Sequence, residues 1–175
     1  MAGARGLIAL GLALAGAVAG ATAVDPVRAL AGRYSRHFSN GLIDGTKFWS
    51  DDVVEIVPVD ATHAYFRAET NFFNGHVCSL AGVATAEGDA LVYRDPAPAD
   101  EFNGKCVLTI RRIPSQLSLD DGDGGCKRYC GARGGFRGAH LSWLSRRPIT
   151  YMARLKSSTE YRKALTEWRT GKLAD

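Results

Sequence analysis

Eight short apolar runs, each ended by turn chemistry, leave this chain few folds to choose from. From Gly32 onward, GRYSRHF is followed by Ser39-Asn40-Gly41 and DVVEIVPV by Asp60-Ala61-Thr62. HAYFRAETNFF ends at Asn74-Gly75, VCSLAGVAT at Glu87-Gly88-Asp89 and ALVYRD at Pro96. KCVLTIRRI stops at Pro114-Ser115, QLSLDD stops at Gly122, and GFRGAHLSW is a candidate eighth strand. Runs of this length, rich in Val, Ile, Tyr and Phe, form strands, and short turns between them join neighbours antiparallel. The expected fold is mainly β: an antiparallel meander of about eight strands, closed as a small barrel or stacked as a sandwich. The segment DPAPADEFN, 95–103, is too rich in proline and acid for a strand and reads as an exposed loop.

The tail changes period. Tyr161, Ala164, Leu165 and Trp168 recur at helical spacing, Ser157 and Glu160 have the spacing of a capping box, and Gly171 stops the run. Pro148 opens a shorter helical stretch with Ile149, Met152 and Leu155 on one face. A period-two reading through Ile149, Tyr151, Ala153 and Leu155 competes with it. One or two helices over about 148–170 therefore complete the fold, and their apolar stripe is expected to pack on the sheet.

Ahead of these elements lie Arg5, an apolar stretch from Leu7 to Val18, and Ala21-Thr22-Ala23. That order of charge, apolar core and small-x-small site is the anatomy of a secretory signal peptide. Residues 1–23 are read as the leader, with cleavage after Ala23, and residues 24–175 as one domain, periplasmic or secreted, with no membrane anchor after cleavage. The formal net charge of +4 falls to +3 once Arg5 is removed. Charges are interspersed, apart from small clusters such as Arg111-Arg112 and Arg146-Arg147, and no basic stripe with aromatic platforms marks a nucleic-acid binder.

An exported chain with an even number of cysteines is read through disulfides. Cys78, Cys106, Cys126 and Cys130 permit three pairings. The preferred pairing joins Cys78 to Cys106 and Cys126 to Cys130, because it leaves the loop CKRYCGARGGFRGAH self-contained. The alternative joins Cys106 to Cys126 and Cys78 to Cys130. Cys126 and Cys130, with His76 and His140, lack the paired short spacings of a zinc site. They are also one residue too far apart for a Cys-x-x-Cys redox centre. No Gly-x-x-x-x-Gly-Lys pattern makes the glycines a phosphate cradle. Gly131, Gly134 and Gly135 are read instead as turn residues. In SLDDGDGG, Asp121 and Asp123 begin a calcium-loop spacing, but Gly125 takes the next ligand position, so the run reads as an acidic hairpin tip. No metal or cofactor is expected.

Catalytic patterns are missing as well. His37, His63, His76 and His140 are scattered, and no Gly-x-Ser-x-Gly elbow is present. Asp51-Asp52 and Asp120-Asp121 are adjacent in sequence and would point to opposite faces of a strand. The expected protein is non-catalytic and binds another macromolecule through its surface. Lys127, Arg128, Tyr129, Arg133 and Arg137 are the candidate partner-binding residues. Arg and Tyr are common interface anchors, and a stapled loop loses little entropy on binding. Such a loop can present a cation to the paired carboxylates of a cell-wall glycosidase, which lie about 5–9 Å apart.

The leader, the small antiparallel barrel, the paired cysteines and the Cys-x-x-x-Cys-Gly-x-Arg-Gly run of Cys126 to Gly134 together resemble the exported lysozyme-inhibitor and calycin-like β proteins of Gram-negative bacteria. The resemblance spans roughly Gly32 to His140 and is architectural. It implies an inhibitor or immunity-type protein for a peptidoglycan hydrolase. The Ser- and Lys-containing insertion motif of periplasmic inhibitors of animal-type lysozyme is not matched residue for residue, so no functional residue is carried over from the family. A second expectation is a calycin-like carrier with a small apolar ligand inside the barrel. Tyr34, Phe38, Trp49, Tyr65, Phe66 and Tyr93 motivate it, and a cavity of roughly 300–1,000 Å³ would be its mark.

Overall fold

The computed structural model describes residues 25–100 and 104–174, so the leader and its cleavage site lie outside the described residues. Eight strands form one antiparallel sheet in strict sequence order. They are β1 (Gly32–Gly41), β2 (Lys47–Pro58), β3 (His63–Asn71), β4 (Val77–Glu87), β5 (Ala90–Arg94), β6 (Val107–Ile113), β7 (Gln116–Asp120) and β8 (Ala139–Ser142). Helix α1 (Pro26–Ala29) precedes them, and α2 (Met152–Lys156) and α3 (Thr159–Thr170) follow. The sheet is a nearly closed barrel rather than a sandwich. Its ends meet just after β8, where Arg33 and Arg147 exchange backbone hydrogen bonds of 2.9 and 2.8 Å.

Alternation along the strands separates two cores. Inward positions such as Tyr34, Ile56, Phe66, Leu91, Ile110 and Leu119 belong to one continuous buried cluster. Alanines 64, 68 and 84 in the same cluster make room for the large rings. The outward residues Val57, Tyr65 and Val83 are buried too, because α2 and α3 lay Leu155, Tyr161 and Ala164 across them. Ala64, Tyr65 and Phe66 of β3 are therefore buried consecutively, with both faces of the strand covered. Of the aromatics assigned to the barrel interior, Tyr34, Phe66 and Tyr93 lie there. Tyr65 faces outward against Tyr161, and Trp49 is 68% exposed with its ring stacked on His37. Trp49 and Tyr65 alternate with inward neighbours, so strand parity sends them outside.

Gly82 shapes the wall. A Cβ built there would lie 2.3 Å from the ring of the buried Tyr93, which covers β4 at this point and meets Phe66 edge-on at 5.2 Å. An aromatic laid over a strand glycine of this kind accommodates a sharp bend. β4 pairs with β3 from Val77 to Thr85 but with β5 only through Thr85, Ala86 and Glu87. The first half of β4 therefore parts from β5, and the segment between β7 and β8 fills the opening.

Three local expectations shift. Ser158, not Ser157, caps α3 by accepting from the Tyr161 N–H at 3.2 Å, because the N–H of Ser157 is already bonded to Ala153 at the end of α2. Pro148 opens no helix: its neighbour Arg147 is held extended by the bridge to Arg33, and α2 begins at Met152. The acid- and proline-rich segment is not simply exposed, since Asp95 and Ala97 are each 2% accessible. At the start of the described residues, Asp25 and Pro26 are the N-cap and first residue of α1, with the Asp25 carboxylate accepting from Val27 and Arg28. Gly171 ends α3 as expected, at a positive φ of 65°.

Candidate functional site

The disulfides join Cys78 to Cys130 and Cys106 to Cys126. The preferred pairing is thus corrected, and Cys126 and Cys130 do not close a loop of their own. The cause is the parting of β4 from the strands beside it. The segment after β7 crosses that opening, so its first cysteine reaches the chain just before β6 and its second reaches the start of β4. The N–H of Gly131 donates to Val77 at 2.8 Å, continuing the Cys78–Cys130 bridge as a short stretch of backbone pairing.

Gly131 and Gly134 close a turn, as read from the sequence, with the Gly134 N–H donating to the Gly131 carbonyl at 2.9 Å, and both also permit this close approach. A Cβ on Gly134 would stand 2.8 Å from the Cys78 sulfur, and one on Gly131 would stand 2.9 Å from the His76 ring. Neither residue, nor Gly135, has a positive φ. Ahead of Cys126, the buried Asp121 shapes the entry: its backbone carbonyl accepts from Gly124 and Gly125, and its carboxylate accepts from the Cys126 N–H at 3.3 Å. The run SLDDGDGG is thus an acidic turn leading out of β7 and not the expected hairpin tip, since β8, which pairs with β7, begins only at Ala139. Among the described residues no group of three or more His, Cys, Asp or Glu could hold a metal ion.

Three of the five candidate partner-binding side chains are turned inward onto the protein. The Lys127 ammonium donates to the carbonyls of Ala132 and Gly134 at 2.9 and 2.6 Å, bracing the loop from below. Arg128 donates to the Pro98 carbonyl and to Asp100, at 2.8 and 3.0 Å. The Tyr129 hydroxyl donates to the buried Asp95 carboxylate at 2.6 Å. Asp95 also accepts from the Ala97 N–H at 2.9 Å and the Tyr93 hydroxyl at 3.4 Å, so a buried carboxylate is satisfied by neutral donors. Burial first, and the Asp95 charge with it, hold the phenols of Tyr93 and Tyr129 above the usual tyrosine range.

Arg133 and Arg137 remain outward. Both are exposed, and neither forms an ion pair among the described residues. Arg137 also borders a cavity of about 170 Å³ between this loop and β1 to β3, where Arg36 donates to the buried Asp52. The loop is therefore a rigid platform: two disulfides and the braces from Lys127, Arg128 and Tyr129 hold it, and two guanidiniums point to solvent.

The histidines do not converge. His37 meets Asp51 at 2.8 Å, His63 meets Asp60 at 2.9 Å, and His140 meets the Gly138 carbonyl at 2.9 Å, each at the surface. Sequence reasoning missed Asp95, the anchor of the loop, because its acid–proline setting resembles an exposed linker. It also missed a cluster at the opposite end of the barrel, where Arg112 and Arg146 flank Trp143. The two arginine pairs were visible in the sequence, but which member of each faces Trp143 depends on strand parity and barrel closure. The two disulfides indicate an oxidising, extracytoplasmic environment. Among the described residues no helix is long and apolar enough to cross a membrane. Comparison of the chain with protein-family models, with curated proteins and with solved structures finds no match.

Proposed function

We propose that this is an exported, non-catalytic binding protein, most concretely an inhibitor or immunity-type partner of a peptidoglycan hydrolase. The observation that carries the reading is the braced loop between β7 and β8. Its outward groups, Arg133 and Arg137, are exposed guanidiniums on a backbone that two disulfides restrain. A preorganised loop binds without first being ordered, and guanidinium is the side chain best suited to paired carboxylates. The barrel supports the reading as a scaffold: its inward positions are packed into one cluster, and the two largest clefts described here, of about 530 and 590 Å³, open at its end rather than inside it. The interior therefore offers the carrier reading little support.

The test is inhibition of peptidoglycan hydrolysis by the leaderless protein against a panel of lysozymes and lytic transglycosylases. Arg133→Ala/Arg137→Ala is compared with the wild type. Stoichiometric inhibition of at least one enzyme, weakened about tenfold or more by the double substitution, is expected. Absence of inhibition across the panel refutes the hydrolase reading, and equal inhibition by both proteins refutes the role of the loop. Lys127 and Arg128 are poor test positions, because their removal loosens the loop itself.

A further inference from the structure

Trp143 stands at the end of the barrel where α1 enters, between two clefts. The larger, of about 590 Å³, has a floor of Leu30, Ile113 and Pro114 and is bordered by Arg112 and Arg146. The second, of about 530 Å³, shares Arg112, Pro114 and Trp143 and continues past Leu144. Leu108 and Ile110 alternate along the inner face of β6, so Arg112 is the next inward position and emerges at the barrel mouth. Its guanidinium carbon lies 4.3 Å from the indole centroid, and that of Arg146 lies 5.3 Å away. Tyr34 supports the indole from within, with ring centroids 5.5 Å apart.

The two cations are not neutralised. Arg146 donates to the Ala31 carbonyl at 2.8 Å and reaches that of Arg28 at 3.5 Å, both uncharged acceptors. Among the described residues Arg112 makes no hydrogen bond or ion pair, although five donors sit on its guanidinium. The one carboxylate bordering the larger cleft is Asp89, exposed in the β4–β5 turn, and it forms no ion pair with either guanidinium.

We propose that this end of the barrel binds a small amphiphilic anion, with a carboxylate or phosphate head on Arg112 and Arg146 and an apolar part on Leu30, Ile113, Pro114 and the indole. Each half of the site selects against a simpler ligand. A neutral apolar molecule would leave the guanidinium donors unused, and a bare inorganic anion would leave the apolar floor wet. The volume is of the order that takes small ligands, about 300–1,000 Å³. Arg112 and Trp143 are held by the barrel, so the site is formed before the ligand arrives. This site is separate from the β7–β8 loop and does not depend on the reading given to that loop.

The test is calorimetric titration of the leaderless protein with octanoate, octyl phosphate and inorganic phosphate, with tryptophan fluorescence as a second readout. At least one amphiphile is expected to bind at one site per chain, about tenfold or more tighter than inorganic phosphate. Whether octanoate or octyl phosphate is preferred identifies the head group, and either preference supports the site. Arg112→Gln is expected to weaken binding about tenfold or more, Arg112→Lys to retain part of it, and Arg133→Ala to leave it unchanged. Since Arg112 makes no internal hydrogen bond and its substitution removes only the contact with the indole, the melting temperature should fall by no more than about 2–4 °C, and a melt of each variant checks this. Absence of saturable amphiphile binding, equal affinity for inorganic phosphate, or full binding by Arg112→Gln overturns the proposal. So does binding to phosphatidylglycerol vesicles without binding of either monomeric amphiphile, which would assign the arginines to a membrane surface.

Discussion

Breaking the two disulfides separately should destabilise the protein by different and non-additive amounts, because one bridge is nested inside the other. Cys106 and Cys126 are 20 residues apart and lie within the 52-residue span of Cys78 and Cys130. Chain-entropy closure gives about 3 kcal/mol for a loop of the inner length and about 4 kcal/mol for the outer loop taken alone. With the inner loop already closed, the outer ring of 52 residues shortens by the 20 it bypasses, and the second bridge contributes about 3.7 kcal/mol on the same scale. Each double alanine variant, Cys106→Ala/Cys126→Ala and Cys78→Ala/Cys130→Ala, should therefore lose about 3–4 kcal/mol in urea unfolding. A pairing of Cys126 with Cys130 would instead close a loop so short that its bridge contributes only about 2 kcal/mol. Connectivity itself is read by trypsin without reduction, since Lys127 and Arg128 lie between the two cysteines. Peptide 106–111 should be found joined to 113–127, and 129–133 joined to 68–94. Recovery of 113–127 joined to 129–133 would refute the nested arrangement and the account of the loop built on it.

Three further outcomes are expected. Gly82→Ala should destabilise by about 1–3 kcal/mol in chemical denaturation, because the new methyl group meets the Tyr93 ring; a neutral result would show that the ring moves freely. Arg67→Ala strips the buried Glu55 of its guanidinium, which donates through Nε at 3.0 Å, and leaves it only the Tyr151 hydroxyl. Because Arg67 is 38% exposed, the loss should be about 1–3 kcal/mol rather than that of a fully buried pair, and Glu55→Leu/Arg67→Met should recover part of it in a double-mutant cycle. Alkali should unfold the protein cooperatively. Burial pushes the Tyr34 phenol up to about 12, and Tyr65, Tyr93 and Tyr129 are also raised, whereas an unfolded tyrosine titrates near 10. The unfolded chain then releases protons that the folded one retains, so stability present below about pH 10 falls as pH rises toward 12. Phenolate absorbance should rise together with the loss of near-ultraviolet dichroism, and independent titration of these tyrosines in the folded protein would contradict the assigned burial.

The strand runs, their turns and the Gly171 stop were legible because each is a local property. Side chains alternate along an extended backbone whatever lies across from them, and the α3 stripe follows from helical spacing. The composition of the 126–138 loop was legible in the same way, as a cationic, glycine-rich segment between cysteines. The duties of its residues were not. Arg128 and Tyr129 look like binding groups until the segment 95–100 is folded beside them, where Asp95, Asp100 and the Pro98 carbonyl meet their donors, and Lys127 until its loop folds the Ala132 and Gly134 carbonyls onto its ammonium. Gly134 was legible as a turn residue, but that its missing side chain also makes room for the Cys78 sulfur was not.

By itself, then, the chain determined an eight-stranded antiparallel meander with a helical tail, since periodicity and turn chemistry act within a few residues. Tertiary structure decided the closure of the barrel, the partner of each cysteine, and which arginines stay free. Those outcomes depend on β4 leaving β5 after only three paired residues and on Arg33 meeting Arg147. Both are encounters between segments far apart in sequence, fixed when the two cores pack and not before.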